Sequence, residues 1–286
     1  MFQYAFFLAK KQYNNNIALS DYFIHFEPII QHNGCELNNL FNTVICKNRL
    51  LKNIIWLIRK LWIFKHKKGF RKISSFAIFA LKKLNINTIG ETKTGTVDYD
   101  VIPKHSGFSV YIGCWATEKY FCSNRKEILN AFSFEHLEKS RQTLEILHLI
   151  EQTNSISIHI RRGDYLLHER FGNISTPLFY EKAIAEMQKR IGSPVFFVFS
   201  NDMQWVRENM HIPNSHYIDW NQGKNSWQDM FLMSKCKHNI IANSTFSWWA
   251  AWLNQFPEKT VIAPSRFLND AETPDLIPDT WIKITV

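Results

Sequence analysis

Two arginines stand where an apolar run stops, in His159-Ile160-Arg161-Arg162-Gly163-Asp164. A second polar cluster, Asn243-Ser244-Thr245-Phe246-Ser247, follows the apolar Ile240-Ile241-Ala242, and a third, Ser200-Asn201-Asp202, follows Val195 to Phe199. A guanidinium is always charged and offers a fixed fork of donors that can take a diphosphate bidentately. Hydroxyls at a helix start, with that helix's exposed amides and positive dipole end, also attract phosphate. If all three clusters lie at the carboxyl ends of parallel strands, they line the place where open α/β sheets collect ligands. Together they describe a pocket for an anionic, hydroxyl-rich ligand, and a nucleotide sugar fits best.

Each cluster has a plainer reading. Arg161 and Arg162 could form surface or structural ion pairs with Asp164; the adjacency of two arginines after a buried strand favours a ligand for Arg161 and a structural role for Arg162. On a continued strand, His159 and Arg161 would share a face and Arg162 the other. Ser244 or Asn243 could simply cap a helix, which requires one such residue and leaves the other hydroxyls unexplained. Trp248 and Trp252 share a helix face and are expected to pack in the core. Asp98-Tyr99-Asp100 has the form of a metal motif, but no convincing strand precedes it and it reads as a loop. No metal cage is evident, and arginine with a helix end can neutralise a leaving diphosphate without a divalent ion.

These clusters need elements to position them. Val110–Gly113 reads as a strand and Glu127–Ile150 as one long helical region. Strands are then expected at 156–160, 194–199, 217–220, 239–242 and 260–263, alternating with helices at 177–190, around Trp205-Val206, at 227–236 and at 244–254. Such alternation means a parallel sheet with right-handed crossovers, so the C-terminal part is a doubly wound lobe. Residues 1–150 form a less regular N-terminal lobe and 151–286 the Rossmann-like lobe, the boundary falling between Asp98 and Asn154.

With 286 residues and 45% hydrophobic content the chain can bury a large core, which excludes disorder. Much of the net charge of +9 sits between Lys47 and Lys83, interleaved with Trp56, Trp62 and Phe64. That stretch suits either a peripheral membrane surface or an ordinary amphipathic helix, and its charges rule out a bilayer span. The basic residues accompany no nucleic-acid motif. Five scattered cysteines, Cys35, Cys46, Cys114, Cys122 and Cys236, suggest neither a zinc site nor a disulfide framework, and with no secretion signal at the start a cytoplasmic location is expected.

The clusters resemble a known family. His159 to Asp164 is similar to the HxRRxD motif of α1,2-, α1,6- and protein O-fucosyltransferases, and Asn243 to Asn254, NSTFSWWAAWLN, to a signature of the bacterial α1,2-fucosyltransferases of glycosyltransferase family 11. Phe199 to Asp202 resembles that family's third block, and Met1-Phe2-Gln3-Tyr4-Ala5 the tail of its opening motif GGLGNQMFQYA. The resemblance implies a GT-B-like fold of two lobes, with GDP-fucose in the C-terminal one and the acceptor side in the N-terminal one. Arg161 would bind the diphosphate, His159 would lie near the nucleoside, Asp229 would recognise guanine, and Thr245, Phe246 and Ser247 would wrap the phosphates, with the helix start at Ser244 stabilising the departing GDP. The reaction would invert GDP-fucose to an α1,2-fucoside on a galactose-terminated glycan, lipid-linked or not, as in lipopolysaccharide or O-antigen assembly. No cofactor and no metal are expected.

An inverting displacement also needs a general base, and Asp164 and Glu169 are both within reach in sequence. The chain starts inside the opening motif, so an N-terminally truncated relative with impaired activity, a nucleotide- or glycan-binding protein without turnover, is one alternative. A transferase using another nucleotide sugar is the other.

Overall fold

The structure, a computed structural model, describes residues 1–13, 17–19, 36–41, 43, 45–65, 67–102 and 108–285. Cys35 lies outside the described residues; Cys46, Cys114, Cys122 and Cys236 form no disulfide with one another. The chain divides into two compact units, Met1–Ser133 and Phe134–Val286.

The first unit holds helices α1 (Phe2–Lys11), α2 (Leu37–Leu40), α3 (Arg49–Lys65), α4 (Arg71–Lys83) and α5 (Arg125–Ala131), with strands β1 (Ile86–Gly90) and β2 (Phe108–Ile112) paired in parallel. Helix α1 is buried almost throughout because its aromatic residues form a cluster: Phe6 stacks on Trp115 at 4.4 Å and meets Tyr120 edge-on at 5.5 Å. Lys10 is drawn into that cluster and donates to the Val101 and Ile102 carbonyls, and burial pushes its pKa down to about 8. Asp98-Tyr99-Asp100 forms a short 3₁₀ turn in which Asp98 accepts from the Asp100 amide, a local capping role.

The second unit contains α6 (Arg141–Gln152), β3 (Asn154–Ile160), α7 (Pro177–Arg190), β4 (Pro194–Ser200), α8 (Met203–Asn209), β5 (Ser215–Ile218), α9 (Trp227–Lys235), β6 (His238–Ile240), α10 (Thr245–Leu253), β7 (Val261–Pro264) and β8 (Ile282–Ile284). Its six strands are all parallel in the order β5-β4-β3-β6-β7-β8. Counted from β3 this is the 3-2-1-4-5-6 order of a doubly wound sheet, which reverses direction between β3 and β6. The α/β fold with a doubly wound parallel C-terminal lobe is therefore present.

Strand β3 explains why both faces are covered. Ile156, Ile158 and Ile160 point to one side, into a core with Phe179, Tyr180 and Met187 of α7 and Val206 of α8. Ser155, Ser157 and His159 point to the other side and are equally buried, but on polar partners. There Asn239 of β6 donates to Ser157 at 2.7 Å and Asn254, at the end of α10, donates to Asn239 at 2.8 Å. A buried polar side chain without such a partner would cost about 1–3 kcal/mol, so this face fixes how β3, β6 and α10 align.

Three expectations change. The single helical region expected over 127–150 is two helices, because Ser140 caps α6 by accepting from the Thr143 amide and Lys139 turns back to the Phe134 carbonyl at 2.6 Å. The boundary expected between Asp98 and Asn154 narrows to that break, after Ser133, which places α6 in the second unit. Strand β3 ends at Ile160, so the alternation that would place Arg161 beside His159 stops one residue short.

Candidate functional site

The carboxyl ends of β3 and β6 are neighbours at the point where the sheet order reverses, the place where the loops of a doubly wound sheet diverge and leave a crevice for a ligand. The β3 end delivers Arg161 to Asp164, the β6 end delivers Asn243 and the start of α10, and the β4 end lies next to β3 and carries Asn201 and Asp202.

After Ile160 the backbone turns sharply. Gly163 has φ +57°, a conformation side-chain-bearing residues rarely adopt, and a Cβ there would sit 2.8 Å from the Asn201 amide nitrogen. Asn201 latches the turn, accepting from the Arg162 amide at 2.8 Å and donating to the Arg162 carbonyl at 3.3 Å. The two arginines consequently part company. The Arg162 guanidinium lies over the Trp205 ring at 3.2 Å and pairs with Asp202 at 3.6 Å, and its buried Nε also has no hydrogen-bond acceptor among the described residues. Arg161 pairs with Asp164 at 2.8 Å, lies over the Tyr165 ring at 5.2 Å, and keeps a buried Nε–H with no hydrogen-bond acceptor among the described residues. It is a held cation with donor capacity to spare.

Helix α10 supplies the second half. Neither Asn243 nor Ser244 caps it: Ser244 is its N-cap residue in extended conformation with no side-chain cap bond, and its hydroxyl contacts Tyr165 instead. Asn243 is committed elsewhere, bonded to Ser175, Phe171 and Phe267. The first-turn amides of α10 are thus left uncapped by side chains, with exposed Thr245 at their edge. Ser247 and His159 join the two elements: the His159 Nδ1 lies 2.9 Å from the Ser247 hydroxyl, which also reaches the Ser244 carbonyl at 3.3 Å. If that hydroxyl donates to the carbonyl, its oxygen accepts from Nδ1–H and leaves Nε2 as an acceptor. Burial, and next the Arg161 charge, push the His159 pKa down to about 3, so the ring is neutral at ordinary pH. Phe246 covers it at 5.7 Å.

Asp229 lies in the first turn of α9, after the loop that leaves β5. Asn221 donates to it at 2.8 Å, and Asn221 in turn accepts from Thr143 at 3.5 Å. Burial raises the Asp229 pKa to about 7; the Asn221 bond opposes this and the Asp219 charge adds to it. A carboxylate held near neutrality, aligned by an amide, suits recognition of a ligand with paired N–H donors. Glu169 is exposed on the loop between β3 and α7 and lines an open depression of about 490 Å³ with Leu167, His168, Arg170, Asn269 and Asp270. Asn269 ties that loop down, donating to the Glu169 and Gly172 carbonyls at 2.8 Å each.

Sequence reasoning overlooked Tyr165, Ser175, Asn201 as a latch, and Asn221. Tyr165 adjoined the recognised motif and Asn201 stood in a noted block, but Asn221 carries no signal beyond following β5. Among the described residues no group of three or more His, Cys, Asp or Glu is arranged to hold a metal ion.

A family model described as Glycosyl transferase family 11 matches residues 46–284. The chain is similar to the O-antigen biosynthesis glycosyltransferase WbnK of Escherichia coli, 41% identical over 140 residues, which are 48% of this chain and 46% of that protein. It is 34% identical over 181 residues to an alpha-1,2-colitosyltransferase of Escherichia coli, covering 61% of this chain and 62% of the relative. It is 32% identical over 145 residues to the galactoside alpha-(1,2)-fucosyltransferase 1 of Ateles belzebuth, covering 47% and 40%. The chain spans about half the length of the curated relatives it matches.

Proposed function

The chain belongs to Glycosyl transferase family 11, and we propose that it transfers L-fucose from GDP-fucose to the 2-hydroxyl of a galactoside in a cell-surface glycan such as an O-antigen. The observation that carries this reading is the pairing of Arg161, with its unsatisfied buried Nε–H, and the uncapped start of α10 at the reversal point of the sheet. Both offer positive charge and N–H donors to a leaving diphosphate, and such donors act most strongly on charge that develops in the transition state. No divalent ion is assigned a part.

In the proposed reaction the acceptor oxygen forms a bond to the anomeric carbon as the bond from that carbon to the β-phosphate oxygen breaks, and GDP departs with the electron pair. The acceptor proton goes to a general base on the face opposite the diphosphate. Asp164 is engaged with the cation that would hold the leaving group, so the base falls to Glu169 and Asp164 orients Arg161. Asp229, aligned by Asn221, would accept from the guanine N–H groups, and neutral His159 would face the nucleoside. We place the enzyme on the cytoplasmic side, with a lipid-linked acceptor.

The test is GDP release together with radiolabelled-fucose transfer to a panel of galactose-terminated acceptors. Arg161→Ala should lower transfer by about 10²–10³-fold, as removal of a group stabilising the transition state does. Undiminished transfer in that variant, or GDP bound without any turnover, would count against the reading. The similarity to a colitosyltransferase favours a second donor sugar, so GDP-colitose belongs in the same assay; faster transfer from it would reassign the donor and keep the mechanism.

A further inference from the structure

Residues 37–90 contain twelve lysines and arginines and no aspartate or glutamate, more positive charge than the net +9 of the whole chain. Within this span α3 and α4 pack on each other as a helical hairpin. One side of each helix faces the unit, as at Ile58 and Ser74, which are buried. Both helices also carry large apolar side chains into solvent: Leu50, Ile54 and Leu57 on α3, at helical spacing and bordering buried Ile58, and Ile73, Phe76 and Phe79 on α4. Ile73 and Phe76 are 71% and 73% exposed, and Leu50 70%. Soluble surfaces tolerate scattered apolar residues, but stripes on two adjoining helices mark an interaction site. Exposed Lys67, Lys68, Arg71 and Lys72 cluster at the tip and the start of α4.

We propose that this hairpin docks on an anionic phospholipid bilayer, with its apolar stripes in the interfacial layer and its cations on the headgroups. The two features together select the occupant. A second copy of the chain would bring a patch of the same strong positive sign against this one. A nucleic acid would engage the lysines but leave Ile73, Phe76 and Phe79 in water. An anionic bilayer satisfies both, and basic amphipathic helices bind such surfaces by combining apolar burial with attraction to acidic lipids. Attachment is from one side only, because no helix of the described residues is long and apolar enough to cross a membrane. The proposal is independent of the donor and acceptor assigned above.

The test is co-sedimentation of the full chain with vesicles of phosphatidylcholine alone and of phosphatidylcholine with one quarter phosphatidylglycerol. Binding should favour the anionic vesicles and weaken with added salt. Neutralising Lys67, Lys68 and Lys72 to Gln should weaken it by about 100-fold, from roughly 1 kcal/mol for each cation near a charged surface. Phe76→Ser with Phe79→Ser should weaken it by about tenfold or more while leaving circular dichroism and melting temperature unchanged, since both side chains are exposed. Equal or no binding to the two vesicle types overturns the proposal. So does full retention in the double Phe variant, which would mean the cations act alone. A concentration-dependent dimer in light scattering that disappears in the Phe variant, without vesicle binding, would assign the face to a second copy instead.

Discussion

Replacing Asp229 by asparagine should stabilise the chain, and by more at pH 8 than at pH 5. The carboxyl is largely buried, and its pKa rises from the ordinary 3.8 to about 7. Between those values the folded chain holds a proton that the unfolded chain has released. Stability therefore falls as pH rises from about 4 to about 7 and levels off above that. From pH 5 to pH 8 nearly two units of this slope are crossed, so the ionised carboxylate costs about 2–3 kcal/mol more at pH 8 than at pH 5. Asparagine keeps the size of the side chain and an oxygen for Asn221, and it carries no charge to desolvate. The stability difference between Asp229→Asn and the parent should thus grow by about 2–3 kcal/mol between the two pH values, which in a domain of this size is several degrees of melting temperature. Urea unfolding of both chains at pH 5, 6, 7 and 8 measures it. The same variant should lose GDP affinity at pH 8, and parent affinity should rise with pH through about 7 as the acceptor carboxylate forms. A difference that stays constant with pH would show that Asp229 does not titrate in this window, and unchanged GDP affinity would remove it from the guanine site.

Three further outcomes follow from the same geometry. Ser247→Ala leaves the buried His159 Nδ1 without its 2.9 Å partner and should cost about 1–3 kcal/mol in urea unfolding, whereas Ser247→Thr should recover part of this. Gly163→Ala forces a Cβ onto a left-handed residue and against Asn201, so a loss of about 1 kcal/mol or more is expected, with a fall in transfer rate because Arg161 is two residues away. Transfer by the parent chain should be unchanged by EDTA, since Arg161 and the start of α10 are assigned the leaving-group charge; abolition by EDTA restored by magnesium would refute that assignment.

The second unit was legible because its elements are written in local chemistry. Val195 to Phe199 reads as a buried parallel strand because both its faces are covered. Helix α7 begins and ends where the sequence places it because Thr176 caps it and Pro177 occupies its first turn. Strand β8 was missed: three residues, Ile282-Lys283-Ile284, at the sheet edge carry too little pattern to distinguish them from a tail. Strand β1 was missed for a related reason, since Ile86-Asn87-Thr88-Ile89-Gly90 is a strand only through its pairing with Phe108–Ile112. Within the site, the arginines and the hydroxyl cluster announced themselves by residue type. Asp229 did not, because a carboxylate in the first turn of a helix is ordinary there; its raised pKa depends on burial and on Asp219, neither visible from spacing.

What the sequence offered in surplus, the hydrogen bonds divide into two kinds. Asn201, Asn243 and Ser175 are polar residues near the β3 and β6 ends whose groups are taken up by neighbouring backbone or side chains, and Arg162 is held by the Trp205 ring and Asp202 although its Nε has no hydrogen-bond acceptor among the described residues. They form the frame, and their removal should appear first in stability. Arg161 Nε, the α10 amides and Thr245 are polar groups at the β3 and β6 ends that the frame does not use. An unsatisfied buried donor costs about 1–3 kcal/mol, which a fold can recover by moving the group into water or by holding it for a ligand. Arg161 is not free to move: Asp164 pins its guanidinium, Tyr165 lies beneath it, and the Gly163 turn latched by Asn201 fixes the backbone that follows. A cation restrained on three sides with a donor left over is preorganised for an anion. Arg162 also keeps an Nε without an acceptor, but Trp205 covers its guanidinium at 3.2 Å, so the adjacent arginines are expected to differ in effect, with Arg162→Ala lowering stability and Arg161→Ala lowering turnover.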